Sequence, residues 1–172
     1  MKNVLYIPVL ALLLLMISCN QPTSIKSEKL TVVSTTTMIT DIVSKIGKDK
    51  IEVQGLMGAG VDPHLYKASE GDVNKLYNAD LVFYSGLHLE GKLEEVFEKM
   101  RHSGIKTVAL SDTLEKSLLI QSENFASNYD PHIWFNIQYW RTITEYVASK
   151  LIQTDPKNKD YYNSNLKTYL SK

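Results

Sequence analysis

Two histidines in this sequence occupy the same short motif. The tripeptide Asp-Pro-His occurs at residues 62–64 and again at residues 130–132. Proline fixes its own φ and pushes the preceding residue into extended geometry, so each histidine should leave a stiffened turn. A neutral imidazole is the commonest metal ligand in proteins, and it binds Zn²⁺ as well as Mn²⁺ and Fe²⁺. The repeat therefore predicts a metal site with His64 and His132 as ligands.

The residues around these histidines supply candidates for supporting roles. A metal-bound imidazole usually donates its second ring N–H to a nearby acceptor, and Asp62 and Asp130 are placed to accept it. His88 is flanked by leucines that favour packing over ligation, and His102 ends a predicted helix, where a cation complements the dipole. A closed zinc site needs four protein ligands and a catalytic one needs three, so His64 and His132 make only part of a site.

Other chemistries find less support in the sequence. We find no glycine-rich phosphate loop, no nucleophile elbow and no cysteine in a catalytic setting. A metallohydrolase that uses the same two histidines is the weakest hypothesis, because no third ligand or general base is identifiable. The 19 basic and 19 acidic residues balance, and no basic stripe favours a nucleic-acid partner.

The first residues differ in composition from the rest of the chain. Residues 1–18 combine Lys2 with an apolar run from Val4 to Ile17, which is typical of a secretory signal and short for a membrane-spanning helix. Cys19, the single cysteine, sits at the expected cleavage point and resembles the lipidated cysteine of bacterial lipoproteins; a plain signal peptide is the alternative. We therefore expect a membrane-anchored protein outside the cytoplasm, with residues 19–29 as its tether.

Hydrophobic periodicity divides the rest of the chain into alternating elements. The pattern predicts strands at 30–34, 51–56, 80–85 and 105–110, and helices over 38–46, 69–79, 93–103, 137–151 and 161–170. Residues 111–129 are the least readable, with a short helix or strand near 114–120. Such alternation predicts an α/β fold with a four-stranded, mostly parallel sheet covered by helices. Ligands of such sheets bind at the carboxyl ends of the strands, where His64 and His132 can meet.

Four segments together resemble one protein family. They are Val-Ser-Thr-Thr-Thr-Met-Ile at 33–39, Val-Asp-Pro-His-Leu-Tyr at 61–66, Ala-Asp-Leu-Val-Phe-Tyr-Ser-Gly-Leu-His-Leu-Glu at 79–90 and Asp-Pro-His-Ile-Trp-Phe-Asn at 130–136. With the lipoprotein-like start, they resemble the metal-binding solute-binding proteins of bacterial zinc and manganese ABC transporters. The resemblance implies a divalent-metal importer component with a membrane permease as partner. An envelope interaction or adhesion module that keeps the fold is the alternative.

The resemblance also implies how the metal site is divided. His64 and His132 match the family's first two ligands, both from the N-terminal lobe, here residues 30–155. The other two ligands belong to a C-terminal lobe, which we expect to be absent from this sequence, and residues 156–172 resemble the start of the helix that joins the lobes. A separate C-terminal lobe is therefore a candidate partner. Residues 111–129 contain no histidine, which argues weakly against the class of zinc importers that carry a histidine-rich loop there.

Overall fold

Four short runs rich in β-branched and aromatic residues form one sheet, and five helices cover it. The computed structural model describes residues 29–171. The strands are β1 (Leu30–Ser34), β2 (Ile51–Gly55), β3 (Leu81–Tyr84) and β4 (Thr107–Ala109). The helices are α1 (Thr37–Gly47), α2 (Glu70–Tyr77), α3 (Glu94–His102), α4 (Ile137–Thr154) and α5 (Lys159–Leu170). The predicted α/β fold is confirmed.

All strand pairs in the sheet are parallel, in the order β2-β1-β3-β4. The chain moves from β1 to β2 on one side and then returns across β1 to β3 on the other. Strand order therefore reverses between β1 and β3, and the carboxyl ends of these strands border the crevice where open α/β sheets bind ligands. The loops that carry both histidines follow strands at this edge.

Alternation along the strands divides the core into two layers. Val32 of β1 faces a large cluster formed with α1, α4 and α5, whereas its neighbour Val33 faces a smaller cluster formed with α2 and α3. In β3, Phe83 lies in the first cluster and Val82 in the second. Successive side chains of a strand point to opposite faces, so one sheet supports helices on both sides.

The last helix packs on the same domain as the helices before it. Tyr162 of α5 is fully buried, and its hydroxyl donates to Asp155 Oδ2 at 2.6 Å. Asn165 Nδ2 donates to the carbonyl oxygen of Ile46, the penultimate residue of α1, at 2.9 Å. A 3₁₀ turn over Pro156–Asn158 separates α4 from α5. Residues 159–170 are thus anchored to the sheet through α1 and α4.

The least readable part of the sequence forms neither a full helix nor a strand. Two 3₁₀ turns, Leu110–Thr113 and Lys116–Leu118, are followed by a loop closed by one antiparallel bridge between Gln121 and Tyr129. β4 is also shorter than predicted, because Leu110 already belongs to the first turn.

Within residues 29–171 no helix combines the length and apolar character that crossing a membrane requires. The predicted signal segment, Cys19 and nearly all of the predicted tether lie outside the described residues.

Candidate metal centre

Each Asp-Pro-His turn is closed by its own aspartate. The backbone N–H of His64 donates to Asp62 Oδ1 at 2.9 Å, and the backbone N–H of His132 donates to Asp130 Oδ1 at the same distance. An aspartate that accepts from the residue two positions later forms an Asx turn, which mimics a backbone turn. The repeated tripeptide therefore produces a repeated local structure.

The loop that carries His64 is tied to the sheet at both ends. Directly after β2, the N–H of Met57 donates to the carbonyl oxygen of Thr35 at 3.0 Å and so continues the pairing with β1. At the far end, the Tyr66 hydroxyl donates to Asp72 Oδ2 at 2.8 Å. Asp72 and Ser69 form a capping box that opens α2. His64 thus lies between two fixed points at the carboxyl edge of the sheet.

His132 is held by the start of the longest helix. It precedes a 3₁₀ turn over Ile133–Phe135, which leads directly into α4. Asn136 caps α4, since its Oδ1 accepts from the backbone N–H groups of Gln138 and Tyr139 at 2.9 and 3.2 Å. Such a cap satisfies N–H groups that have no partner inside the helix.

The two imidazoles meet through the ring nitrogens that point away from their own turns. His64 Nε2 and His132 Nε2 are 3.3 Å apart, and the ring planes are inclined at 63°. Two tetrahedral zinc ligands, each about 2.0–2.1 Å from the metal, lie about 3.3–3.4 Å from each other. The separation of the two nitrogens is therefore the one that a shared zinc ion requires.

The two aspartates differ in what they do for the rings. Asp130 Oδ1 also contacts His132 Nδ1 at 2.6 Å, and this bond fixes the proton on Nδ1 and leaves Nε2 free to bind a metal. The His132 backbone N–H is the largest influence on the Asp130 carboxyl, and together with the ring it lowers the pKa of Asp130. Among the hydrogen bonds of residues 29–171, none joins the Asp62 carboxylate to the His64 ring.

The other histidines of the chain are engaged elsewhere. The His88 ring pairs with Glu94 at the start of α3, and His102 Nε2 pairs with Glu98 Oε1 at 3.2 Å. Neither ring belongs to the cluster around His64 and His132. Over residues 29–171 no group of three or more His, Cys, Asp or Glu side chains is assembled that is able to hold a metal ion. The described part of the chain thus offers two metal donors at one place.

Two aromatic residues beside the histidines were missed in the sequence. The Phe125 ring stacks on His64 at 6.2 Å between centroids, and Trp134 meets His132 edge-on at 5.2 Å. Trp134 lies two residues after His132, so its contact with His132 was predictable from their short separation in the sequence. Phe125 comes from the loop before the second motif, and no periodicity there places it.

A buried carboxylate links the ends of two strands at the same edge of the sheet. Glu90 is 2% exposed, and it accepts from the Thr35 hydroxyl at 2.6 Å and from the backbone N–H groups of Ser85 and Gly86 at 2.8 and 3.3 Å. Burial raises the pKa of Glu90, and the three hydrogen bonds oppose that rise. Glu90 therefore joins the end of β1 to the end of β3.

Similarity to known proteins extends over nearly the whole of this domain. Residues 32–172 match the family model described as zinc-uptake complex component A, periplasmic (ZnuA). The chain belongs to the ZnuA family. Its four-stranded lobe also superposes on a solved structure of the periplasmic zinc-binding protein TroA from Treponema pallidum, with a TM-score of 0.78 and 41% identity. That match covers 82% of this chain and 50% of the TroA chain.

Two of the curated relatives are named for different metals. The manganese-binding lipoprotein MntA of Bacillus subtilis is 40% identical over 142 residues, which are 83% of this chain and 46% of MntA. The zinc-binding protein TroA of Treponema pallidum is 41% identical over 138 residues, which are 80% of this chain and 44% of TroA. This chain thus spans about half the length of the curated relatives that it matches.

Proposed function

We propose that this chain is the metal-binding lobe of a solute-binding lipoprotein that serves a divalent-metal ABC importer. In this role His64 and His132 bind the transported ion, Zn²⁺ or Mn²⁺, as cargo. The observation that carries the proposal is the 3.3 Å separation of the two Nε2 atoms at the carboxyl edge of a parallel sheet. Membership of the ZnuA family and the metals named for MntA and TroA support it.

The two imidazoles account for half of a closed site. We infer that the remaining ligands come from a second lobe, reached through the helix that begins in residues 156–170 or supplied as a separate chain. Each ligand adds direct bonding energy and excludes water, so the two-histidine lobe should bind metal more weakly than a four-ligand site. The ordered position of His132, with its Nδ1 held by Asp130, favours a lobe that is ready to receive the ion.

The proposed location follows from the start of the sequence. Lipidation of Cys19 would hold the domain at the outer surface of the cytoplasmic membrane or in the periplasm, beside the permease that accepts the ion. The relative MntA is named a lipoprotein, which supports this placement.

The test is a calorimetric titration of the chain beginning at Asn20 with Zn²⁺ and with Mn²⁺. We expect one ion to bind per chain, and we expect the double variant His64→Ala/His132→Ala to lose that binding. The matched control is His88→Ala/His102→Ala, which removes two imidazoles that are paired with Glu94 and Glu98 and should leave binding intact. Binding that survives the loss of His64 and His132 would contradict the proposal.

A second titration addresses the missing ligands. Mixing the chain with a C-terminal lobe encoded in the same genome should tighten metal binding in a manner that depends on His64. Absence of metal binding in both preparations would reject the transport role. An adhesion module would instead keep its partner in the double variant, and neither of the two relatives described above, MntA and TroA, is named for adhesion. A metallohydrolase would show metal-dependent hydrolysis that disappears in the same variant.

A further inference from the structure

The side chain of Phe125 lies against both histidines of the metal centre. Its ring is nearly parallel to that of His64, at 17° and 6.2 Å between centroids. It also meets the ring of His132 at 67° and 5.5 Å. Edge-to-face and offset parallel contacts at these distances are favourable for aromatic rings. One phenyl ring therefore contacts both proposed ligands.

Backbone hydrogen bonds within the loop that carries Phe125 hold it in a defined conformation. The bridge between Gln121 and Tyr129 closes its base, and the N–H of Ser122 donates to the carbonyl oxygen of Asn128 at 3.0 Å. Asn128, at a φ of 61°, donates its own N–H to the carbonyl oxygen of Phe125 at 2.9 Å. Asparagine tolerates this left-handed conformation better than most residues. The loop geometry thus fixes where Phe125 points.

A phenyl ring in this place changes what can surround a bound ion. It has no lone pair to offer a metal and no group to hold a water molecule, yet it fills space on one side of the histidine pair. Zn²⁺ is satisfied by four ligands, whereas Mn²⁺ prefers six ligands in octahedral geometry, several of them oxygen atoms from carboxylates or water. Space taken from water near the two imidazoles therefore costs Mn²⁺ more than Zn²⁺.

We propose that Phe125 is a specificity residue, which limits the coordination number at His64 and His132 and so favours Zn²⁺ over Mn²⁺. The inference rests on the proposed function, because it assumes that the two imidazoles bind the ion. Phe125 acts by filling space and by packing against the two imidazole rings, and it is not itself a ligand. Trp134 also contacts the His132 ring, edge-on at 5.2 Å between centroids.

The test compares the ratio of Zn²⁺ to Mn²⁺ affinities in the chain beginning at Asn20 and in Phe125→Ala. Changes to groups that support metal ligands alter affinity by about 10- to 100-fold, and we expect the ratio to fall about tenfold. Ile120→Ala is the control for loss of exposed apolar surface, because Ile120 is 64% exposed and lies at the base of the same loop, next to the Gln121–Tyr129 bridge.

A spectroscopic reading separates specificity from a structural role. Co²⁺ replaces Zn²⁺ and gives an intense visible band when four-coordinate and a weak one when six-coordinate. The unaltered chain should give a more intense band than Phe125→Ala, with an unchanged melting temperature. Should Phe125→Ala fold poorly, Phe125→Leu, which keeps the apolar volume, replaces it and is expected to lower the ratio less than Phe125→Ala.

The outcomes distinguish this inference from the proposed function. Metal binding that depends on His64 and His132, combined with an unchanged affinity ratio in Phe125→Ala, overturns the role of Phe125 alone. An equal loss for both metals, with a lowered melting temperature and an unchanged Co²⁺ band, assigns Phe125 a structural role and also overturns it. Failure of the unaltered chain to bind either ion rejects the proposed function and this inference with it.

Discussion

The His64 turn and the His132 turn share a sequence and a backbone geometry, but their rings are held differently. Both are Asx turns with the same 2.9 Å bond from histidine N–H to aspartate. Asp130 reaches the ring of its histidine as well, whereas Asp62 is exposed and bonds to the backbone of His64. One motif thus produces one histidine with a fixed tautomer and one whose ring is positioned by its neighbours, His132 and Phe125.

The elements that follow the two turns extend this contrast. The His132 turn passes into α4 through a single 3₁₀ turn, with Asn136 as its cap. The His64 turn reaches α2 through a longer loop, in which Tyr66 is anchored to Asp72. The position of the His132 turn is therefore fixed by the residues next to it, whereas the position of the His64 turn is fixed by contacts further along the chain.

The largest expected difference between the turns is in metal affinity. Asp130→Asn removes the charged acceptor of the His132 ring N–H, and loss of such a partner costs about 10- to 100-fold in affinity. Asp62→Asn keeps an oxygen that can close the Asx turn, so we expect a change below about threefold, since asparagine also forms such turns. Calorimetric Zn²⁺ titration of both variants measures the difference. Equal losses would mean that the two aspartates act alike and that the structural difference between the two turns does not affect Zn²⁺ affinity.

The second expected effect concerns the anchor of the His64 loop. Burial by itself raises the pKa of Asp72, but hydrogen bonds from Ser69 and Tyr66 outweigh it and lower the pKa from 3.8 to about 2. A shift of nearly two units corresponds to about 2 kcal/mol of folding free energy. Because the folded pKa is the lower one, this stability is present above about pH 4 and is lost as the pH falls towards 2. Asp72→Ala should lower the free energy of unfolding at pH 7 by about that amount.

Urea unfolding at several pH values checks this prediction. The unaltered protein should lose stability between about pH 4 and pH 2 more steeply than Asp72→Ala, because the variant has already lost the contribution. Lys75→Ala is the control, since Lys75 pairs with Asp72 at 3.2 Å from an exposed position and should cost little. Parallel pH profiles for the unaltered protein and Asp72→Ala would show that the Tyr66 anchor does not depend on a charged Asp72.

How much of this site the sequence predicts depends on how far apart in the chain the interacting residues lie. The stiff Asp-Pro-His turns and the strand–helix alternation arise from residues close together in the chain, and local patterns predicted them. The Asx hydrogen bonds that close the two turns were not predicted. The Nε2 distance between His64 and His132 was inferred only as proximity, because it depends on how the sheet brings two distant loops together. Phe125 was not predicted at all, since its loop has no periodic pattern and its place follows from the Gln121–Tyr129 bridge.

The smallest expected effect tests the cap that follows the His132 turn. Asn136→Ala leaves the N–H groups of Gln138 and Tyr139 without their side-chain acceptor, and loss of such a cap costs about 1 kcal/mol. Asn136→Asp keeps the acceptor and adds a charge that favours a helix N-terminus, so its stability should equal or exceed that of the unaltered protein. Urea unfolding measures both. If Asn136→Ala also weakens Zn²⁺ binding while Asn136→Asp does not, then α4 positions His132; a stability loss without any loss of affinity would mean that Asp130 alone holds the ring.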